Sequence, residues 1–459
     1  MFYLDQASSL AQDFSFSTFN DRAPPFYPVT QFLSAAAFGE VSLSLKVLHT
    51  VLFSVNTFLF AILVRSCTQG STLFAVIAAL LHALSPAIYG IHAYALSEPL
   101  FIFALLSALI FWERYRATTK GLWLSAAGVA VGIMILTRFA GVAFLGSFAL
   151  CVVWVSRSGG PDRVLRELTR FALPAVALPG IWGALKMALD SSTTSPRSFQ
   201  IHLFGGDHIR DLFGVFANWL LAGDSVVLFA LVAAAASYVL FNFFRSPGRS
   251  FPLFAALNIV AYVAFIFLSL SFFDAHIPID SRILLPCFYL LLLLLLEASY
   301  RVVSEPTDWI KRGAVVLLLG LLTLLGAINT TTVGRENFTV GRGFTSKPMQ
   351  QIALHDIVKG NGAATIYTNA PELIQLYVGK PAILLPQLVD PNTRQENEKF
   401  VEEISAVLTE VDNGDAAIVH YSAVTWRTYV PDPEFFAAQF GISPVLASSE
   451  GAMFTGPLR

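Results

Sequence analysis

Ten apolar runs of seventeen residues or more crowd the first three quarters of this chain, at about 41–64, 71–91, 95–112, 121–137, 139–156, 171–189, 225–243, 252–273, 283–299 and 313–330. A helix rises about 1.5 Å per residue, so each run crosses a hydrocarbon layer of about 30 Å with some allowance for tilt. Helices that are apolar all round have no stable place in water. The expected fold class is therefore an α-helical polytopic membrane protein with about ten transmembrane helices in this chain. The bulk composition agrees, with 55% apolar and 13% charged residues. A formal net charge of -2 excludes the basic footprint of a nucleic-acid binder. Cys67, Cys151 and Cys287 lie in or beside apolar runs without metal-ligand spacing, which offers neither a zinc site nor a disulfide framework. The sequence indicates no metal or other cofactor, although a divalent metal is compatible with it.

Three regions follow. Residues 1–40 carry Asp5, Asp13, Asp21 and Glu40, with Ala-Pro-Pro-Phe-Tyr-Pro at 23–28. They read as an external first-loop segment through which the prolines rule out a regular helix. They lack a basic head followed by an apolar core, so the first spanning helix is expected to direct insertion. Residues 41–333 form the transmembrane domain. Thirteen basic residues fall in one alternate set of its connections: Arg65; Arg114, Arg116 and Lys120; Arg157, Arg163, Arg166 and Arg170; Arg245 and Arg249; Arg301, Lys311 and Arg312. That set is expected on the cytoplasmic side. By alternation the opposite face, with Glu98, Arg138, the 190–224 connection and 274–282, is external, together with the amino terminus and everything after residue 330. Within 190–224, Ile209, Leu212, Phe213, Phe216 and Leu220 recur at helical spacing behind Asp207, a candidate N-cap, with Trp219 alongside. Such a helix either lies in the membrane interface or packs under the external domain.

Residues 334–459 change to the composition of a soluble domain. Strands are predicted at 364–369, 381–386 and 415–421, and helices at 371–378 and 395–411, which makes a small external α/β domain. It contains no glycine-rich phosphate loop, catalytic Ser/His/Asp spacing or metal cluster, so it is expected to serve as a lid or acceptor-side domain.

Chemistry is expected at the outer face of the membrane region. The stretch from Tyr89 to Pro99 joins two spanning runs yet holds His92 and Glu98. Ionisable groups beside hydrocarbon are costly and usually face a water-filled cavity or one another. The same face gathers Asp5, Asp13, Asp21 and Asp280, the cations Arg22, Arg138 and Arg282, His276, and Tyr3, Tyr27, Tyr89 and Tyr94. A carboxylate can take the proton of an attacking hydroxyl, and a fixed cation can hold a departing phosphate. That combination suits sugar transfer from a lipid phosphate. Each residue also has a plainer role open to it. Asp280 with Arg282 makes a local ion pair, Asp13 and Asp21 are solvated loop charges, the tyrosines are interfacial anchors, and Arg138 snorkels to headgroups.

Several motifs carry a resemblance. They are Tyr-Leu-x-x-Ala-x-x-Leu-Ala at 3–11 with Pro-Pro-Phe-Tyr-Pro at 24–28, Ala-Leu-Ser-Glu-Pro-Leu-Phe at 95–101, Leu-Thr-Arg-Phe-Ala-Gly at 136–141, Pro-Ile-Asp-Ser-Arg-Ile-Leu-Leu-Pro at 278–286, and Thr-Asn-Ala-Pro-Glu at 368–372 with Gly-Lys-Pro-Ala at 379–382. In order and spacing they resemble bacterial GT-C glycosyltransferases, in the branch that includes protein O-mannosyltransferases and aminoarabinose transferases. The resemblance implies a cell-envelope enzyme of the bacterial inner membrane, with its terminal domain external or periplasmic. It would pass a sugar from a polyprenyl-phosphate donor to a lipid, protein or glycan acceptor, with inversion at the anomeric carbon. It implies Asp5, Asp21 and Glu98 as the candidate catalytic carboxylates. Arg138 corresponds to the family's cation near the donor phosphate, and Arg22, Tyr27, His92, Asp280 and Arg282 are further candidates for substrate contact. The family's catalytic aspartate falls about four residues ahead of Tyr3, upstream of Met1, and its first transmembrane helix is missing with it. An in-frame upstream extension is therefore expected, with Asp5 the nearest substitute. A transporter or flippase of a lipid-linked or small polar solute is the alternative, and it predicts paired broken helices and an internal repeat. A non-catalytic receptor explains the terminal domain but not the spans.

Overall fold

The computed structural model describes residues 24–39, 41–189, 199, 201, 205–220, 250–274, 277–304, 309–390 and 395–457. They divide into two compact units, one of helices up to residue 333 and one formed chiefly by the residues that follow.

The first unit opens with α1 (Phe26–Phe38) and α2 (Val41–Cys67). The helix at α1 corrects the expectation that the prolines exclude one. Pro25 is its N-cap and Pro28 falls in its first turn, where a missing N–H breaks no intrahelical bond. Then α3 (Thr72–Ala83) and α4 (Pro86–His92) form a single run bent by 59°. The break has a local cause: Pro86 starts α4, and the Ser85 hydroxyl accepts from the Ile88 N–H at 3.4 Å. Beyond it come α5 (Glu98–Thr118), α6 (Gly121–Thr137), α7 (Gly141–Ser156) and α8 (Pro161–Leu189). The unit continues with α9 (Gly206–Leu220), α10 (Ser250–Phe272), α11 (Leu285–Ser304) and α12 (Trp309–Thr339).

Among the described residues, six helices are long and apolar enough to cross a membrane, or seven spans if the bent pair counts as one. The apolar run at 95–112 lies on α5, which also carries Glu98, Glu113, Arg114 and Arg116, and the run at 121–137 makes a helix of only 17 residues. The run at 225–243 lies outside the described residues. Buried on most sides, α5 is the pillar of the unit and packs on α2 and α6. Helix α6 in turn packs on α8, where Gly128 brings the two backbones together: a Cβ there would stand 2.2 Å from the Phe171 carbonyl oxygen. An aromatic cluster fills the far end, with Trp112 stacked on Phe254 at 4.8 Å and Phe148 edge-on to Phe254 at 4.7 Å.

The amphipathic segment is helical, but Asp207 sits inside the first turn of α9 and is not its N-cap. Leu212, Val215, Phe216 and Trp219 pack against the helical core, with Trp219 5.0 Å from Phe288.

The second unit is a five-stranded sheet in the order β2-β1-β3-β5-β4, built from β1 (Thr365–Thr368), β2 (Ala382–Leu384), β3 (Ala416–Tyr421), β4 (Leu446–Ser448) and β5 (Gly451–Thr455). Strand β1 is parallel to β2 and β3, in register Thr365↔Ala416, while β5 is antiparallel to β3 and β4. Alternation divides β3 between two cores. Ala417 and Val419 join Leu354 and Val358 of α13 (Leu354–Gly360), with Leu373 and Ile374 of the helical segment 371–378. Ala416 and Ile418 join Ile404 and Val407 of α14 (Phe400–Asp412) and Phe436 of α15 (Pro433–Phe440).

Candidate functional site

Three stretches far apart in sequence meet at one end of the helical unit. The first is the start of α5. Helix α4 stops at His92, the chain turns, and Ser97 and Pro99 flank Glu98 at the first helical position. The second is the turn between α6 and α7, where Arg138 is extended (φ -152°, ψ 136°) and ends α6. That turn is tight: a Cβ on Gly141 would lie 2.5 Å from the Ile135 nitrogen. The third is the 278–284 turn before α11. Here the Asp280 Oδ1 accepts the N–H groups of Arg282 at 3.0 Å and Ile283 at 2.8 Å, and the Tyr262 hydroxyl of α10 donates to the Ile283 carbonyl at 2.8 Å.

These segments bring two guanidinium groups to one carboxylate. Arg138 Nη1 lies 2.5 Å from Glu98 Oε1 and 3.2 Å from the Ser97 hydroxyl, to which it donates. Arg282 Nε lies 3.4 Å from the same Glu98 oxygen and 3.8 Å from Asp280 Oδ2. The Glu98 side chain is 4% exposed, against 22% for Arg138 and 38% for Arg282. A carboxylate so deeply buried needs such partners, since stripping them from a buried ion pair costs about 3–5 kcal/mol. Neither Glu98 Oε1 nor Arg282 Nε makes an aligned hydrogen bond among the described residues. The contact between Arg282 and Glu98 is therefore one of charge, without an aligned hydrogen bond at Arg282 Nε.

Behind this triad lies a layer of buried polar groups. The Asn56 Nδ2 of α2 donates to the Pro99 carbonyl at 2.9 Å and meets His92 Nε2 at 3.4 Å, tying the end of α4 to the first turn of α5. The His92 Nδ1 faces the Ile88 carbonyl at 2.8 Å, so it carries the proton and leaves Nε2 as the acceptor. By the same argument His49 donates from Nδ1 to the His92 carbonyl at 3.1 Å and accepts at Nε2 from the Tyr27 hydroxyl at 2.8 Å. His82, placed between Thr57 at 2.9 Å and Tyr289 at 2.6 Å, completes the layer.

Of the residues singled out in sequence, the structure brings together Glu98, Arg138, Asp280 and Arg282. His92 and Tyr27 are buried in the polar layer, with their polar groups already engaged. Asp5, Asp21 and Arg22 lie outside the described residues, as do Tyr3, Asp13 and His276. His49, Asn56, His82 and Tyr289 were missed. The available signal was the seven-residue spacing of His49 and Asn56, which puts both on one face of α2. Among the described residues no cluster of three or more His, Cys, Asp or Glu is placed to hold a metal.

The terminal motifs prove to be architectural. Asn369 follows β1 and pairs with Tyr421 like a strand residue, its Oδ1 accepting the Tyr421 N–H at 2.8 Å and its Nδ2 donating to the Tyr421 carbonyl at 3.0 Å. Arg427 forks onto Glu372 at 2.9 and 2.5 Å and reaches the Asn369 carbonyl at 2.7 Å. Lys380, after the left-handed Gly379 (φ +74°), donates to the Val358 and Asn361 carbonyls.

Residues 23–162 match the family model for dolichyl-phosphate-mannose-protein mannosyltransferases. No curated protein matches the chain in sequence. Among solved structures it resembles ArnT from Cupriavidus metallidurans bound to undecaprenyl phosphate, with a TM-score of 0.59 at 12% identity over 99% of this chain and 94% of that one. The apo state of the same protein gives a TM-score of 0.57 at 13% identity, with the same coverage of both chains. At such identities the likeness is one of fold, and it extends over nearly the whole chain. With the family match over α1 to α7, it makes this chain a multi-pass membrane protein with the fold of the GT-C glycosyltransferases.

Proposed function

We infer that the chain is a membrane glycosyltransferase that moves a sugar from a polyprenyl-phosphate donor to an acceptor at the outer face of the bacterial inner membrane. The observation that carries this reading is the approach of Arg138 and Arg282 to one point at the ends of α6 and α11, around the buried Glu98 carboxylate. Two guanidinium groups on separate elements suit the oxygens of a phosphate. The structural neighbour bound to undecaprenyl phosphate supports a lipid phosphate as the ligand. In this reading about ten helices span the membrane, 225–243 among them, residues 1–40 form an external first loop, and residues 334–459 form an external domain beyond the 41–333 membrane domain.

The acceptor hydroxyl attacks the anomeric carbon as the carbon–oxygen bond to phosphate breaks. The electron pair stays on the phosphate oxygen, where Arg138 and Arg282 meet the charge as it develops. The acceptor proton passes to a carboxylate, for which Asp5 and Asp21 of the first segment and Glu98 are the candidates. Asp280 holds the turn that aims Arg282, and the layer with Tyr27 and His92 fixes the start of α5.

Incubating the purified full-length protein in lipid with a panel of polyprenyl-phosphate sugars should release polyprenyl phosphate from at least one. The reading is lost if none is turned over and the protein also fails to bind polyprenyl phosphate.

A further inference from the structure

Helices α7 and α10 are pinned together partway along their length and part beyond the pin. The Ser147 hydroxyl of α7 donates to the buried Asn258 Oδ1 of α10 at 2.6 Å, and Asn258 donates in turn to the Phe254 carbonyl at 2.7 Å. Toward the end of the unit opposite Glu98, the two helices leave a groove of about 330 Å³. Trp112, near the end of α5, stacks on Phe254 at 4.8 Å and makes its floor. Among the described residues, Leu150 and Cys151 line one side, and Leu253 and Leu257 the other. That volume lies at the lower edge of the range for small-molecule pockets, about 300–1,000 Å³.

An apolar lining by itself says only that the groove meets hydrocarbon. Its mouth is more particular. There the exposed Arg157 lays its guanidinium over the Trp154 ring, 3.6 Å from the centroid. Neighbouring cations at this end are neutralised: Arg116 pairs with Glu113 at 2.7 Å, and Arg166 and Arg170 pair with Glu167 at 3.4 and 2.8 Å. Arg157 has no carboxylate partner among the described residues. The indole holds the guanidinium by its face, which leaves the in-plane N–H donors open to an anion.

We propose that the groove between α7 and α10 is a binding site for an acidic phospholipid, with its phosphate on Arg157 and one acyl chain lying between the helices over Trp112 and Phe254. Charge complementarity decides the occupant. A neutral apolar molecule would leave the Arg157 donors to water, and a free anion would leave the groove unfilled. An acidic phospholipid meets both needs in one molecule, because an anionic head joins directly to an apolar chain. The lipid-phosphate site of the proposed reaction lies at the other end of the unit, beside Arg138 and Arg282, so the two are separate. In the orientation expected from the basic connections, this end meets the cytoplasmic leaflet, whose acidic lipids attract basic side chains.

The test titrates the full-length protein, stripped of lipid in detergent, with phosphatidylglycerol and phosphatidylcholine of identical dioleoyl chains, and reads the bound lipid by native mass spectrometry. The parent should bind its first phosphatidylglycerol about fivefold more tightly than phosphatidylcholine, the scale of one basic side chain acting on an acidic lipid. Arg157→Gln should bring that ratio close to one. Arg114→Gln should leave it as in the parent, because Arg114 is an exposed cation of the same end that lies two positions beyond Trp112, on another face of α5, and does not line the groove. Leu253→Trp, which fills the groove from its wall, should weaken the first site for both lipids. A parent that does not discriminate, or an equal fall in the ratio for Arg114→Gln and Arg157→Gln, would mean a diffuse field in place of a site and overturn the proposal. So would unchanged phosphatidylglycerol binding by Leu253→Trp, which would put the chain elsewhere. If the Trp variant does not fold, the comparison of Arg157 with Arg114 decides alone. None of these readouts depends on sugar transfer, so the proposal and the glycosyltransferase reading can fail separately.

Discussion

Arg138 stands in an extended conformation between two helices, and one guanidinium spans Ser97 and Glu98. An arginine that merely snorkels to headgroups would not be drawn onto a carboxylate that is 4% exposed. Replacing it with Gln should weaken donor-lipid binding and turnover by roughly 10- to 100-fold, taking about 1.5–3 kcal/mol for bonds to a charged group. Arg138→Lys should retain part of the activity, because the charge remains while the fork is lost. Unchanged lipid binding by a folded Gln variant would remove Arg138 from the donor site. A second residue gives a pH dependence in the terminal unit. Burial holds the His420 imidazole below its ordinary value, and Asp432 only partly offsets this. A histidine depressed in the fold contributes stability that is complete above its unfolded value of about 6.5 and is lost as pH falls below it. Hydrogen-exchange protection factors in β3 and β5 of the full-length protein, corrected for the intrinsic slowing of exchange at lower pH, should therefore fall between pH 7 and pH 5. His420→Gln should flatten that response, and an unaltered pH response in the variant would assign it to another group.

At the scale of elements, the crossing of α6 and α8 depends on an absent side chain. A Cβ on Gly128 would stand 2.2 Å from the Phe171 carbonyl oxygen and 2.8 Å from the Pro174 ring, whereas one on Gly146 of α7 meets nothing within 4 Å. Gly128→Ala should therefore cost about 1–3 kcal/mol, the usual range for overpacking, and lower the unfolding temperature in detergent, with Gly146→Ala close to neutral. Equal effects at the two sites would mean that the helices simply move apart. The same scale explains what could be read from the sequence. Uniformly apolar runs name their helices because no other structure satisfies a backbone in hydrocarbon. The bend at Leu84-Ser85-Pro86 was legible in principle and was passed over because the run around it is apolar throughout. Glu98, Arg138 and Arg282 stood out because a charge at the edge of an apolar run is costly, whereas His49 and Asn56 were lost inside the run of α2. In the terminal unit, the predicted strands became β1, β2 and β3, with β3 buried between two layers of helix and the edge strand β2 partly exposed. The β4–β5 hairpin escaped because Leu446–Ser448 and Gly451–Thr455 are short and rich in small residues, and their pairing is set by the neighbouring β3.

For the molecule as a whole, the charges sort by helix end. Glu98 opens α5 and Arg138 closes α6, while Glu113 with Arg116 and Glu167 with Arg170 pair at the opposite ends of α5 and near the start of α8. On α11 the same order holds: Arg282 precedes its start, and Glu297 and Arg301 pair close to its finish. The end with the excess of arginine and lysine in its connections is expected in the cytoplasm, since basic loops are retained there. The end that carries the Glu98 site then faces outward. Helix α12 starts beside the basic residues Lys311 and Arg312 and is apolar enough to span, so the chain after it should emerge on the outer side. Protease added to intact spheroplasts should accordingly trim the terminal unit, most readily in the connection near 340–346, while a tag placed in the 157–163 connection stays protected. If the terminal unit is cut only in inverted vesicles, the orientation is reversed. The Glu98 site would then open to the cytoplasm, and a polyprenyl-linked donor would have to be met on that side.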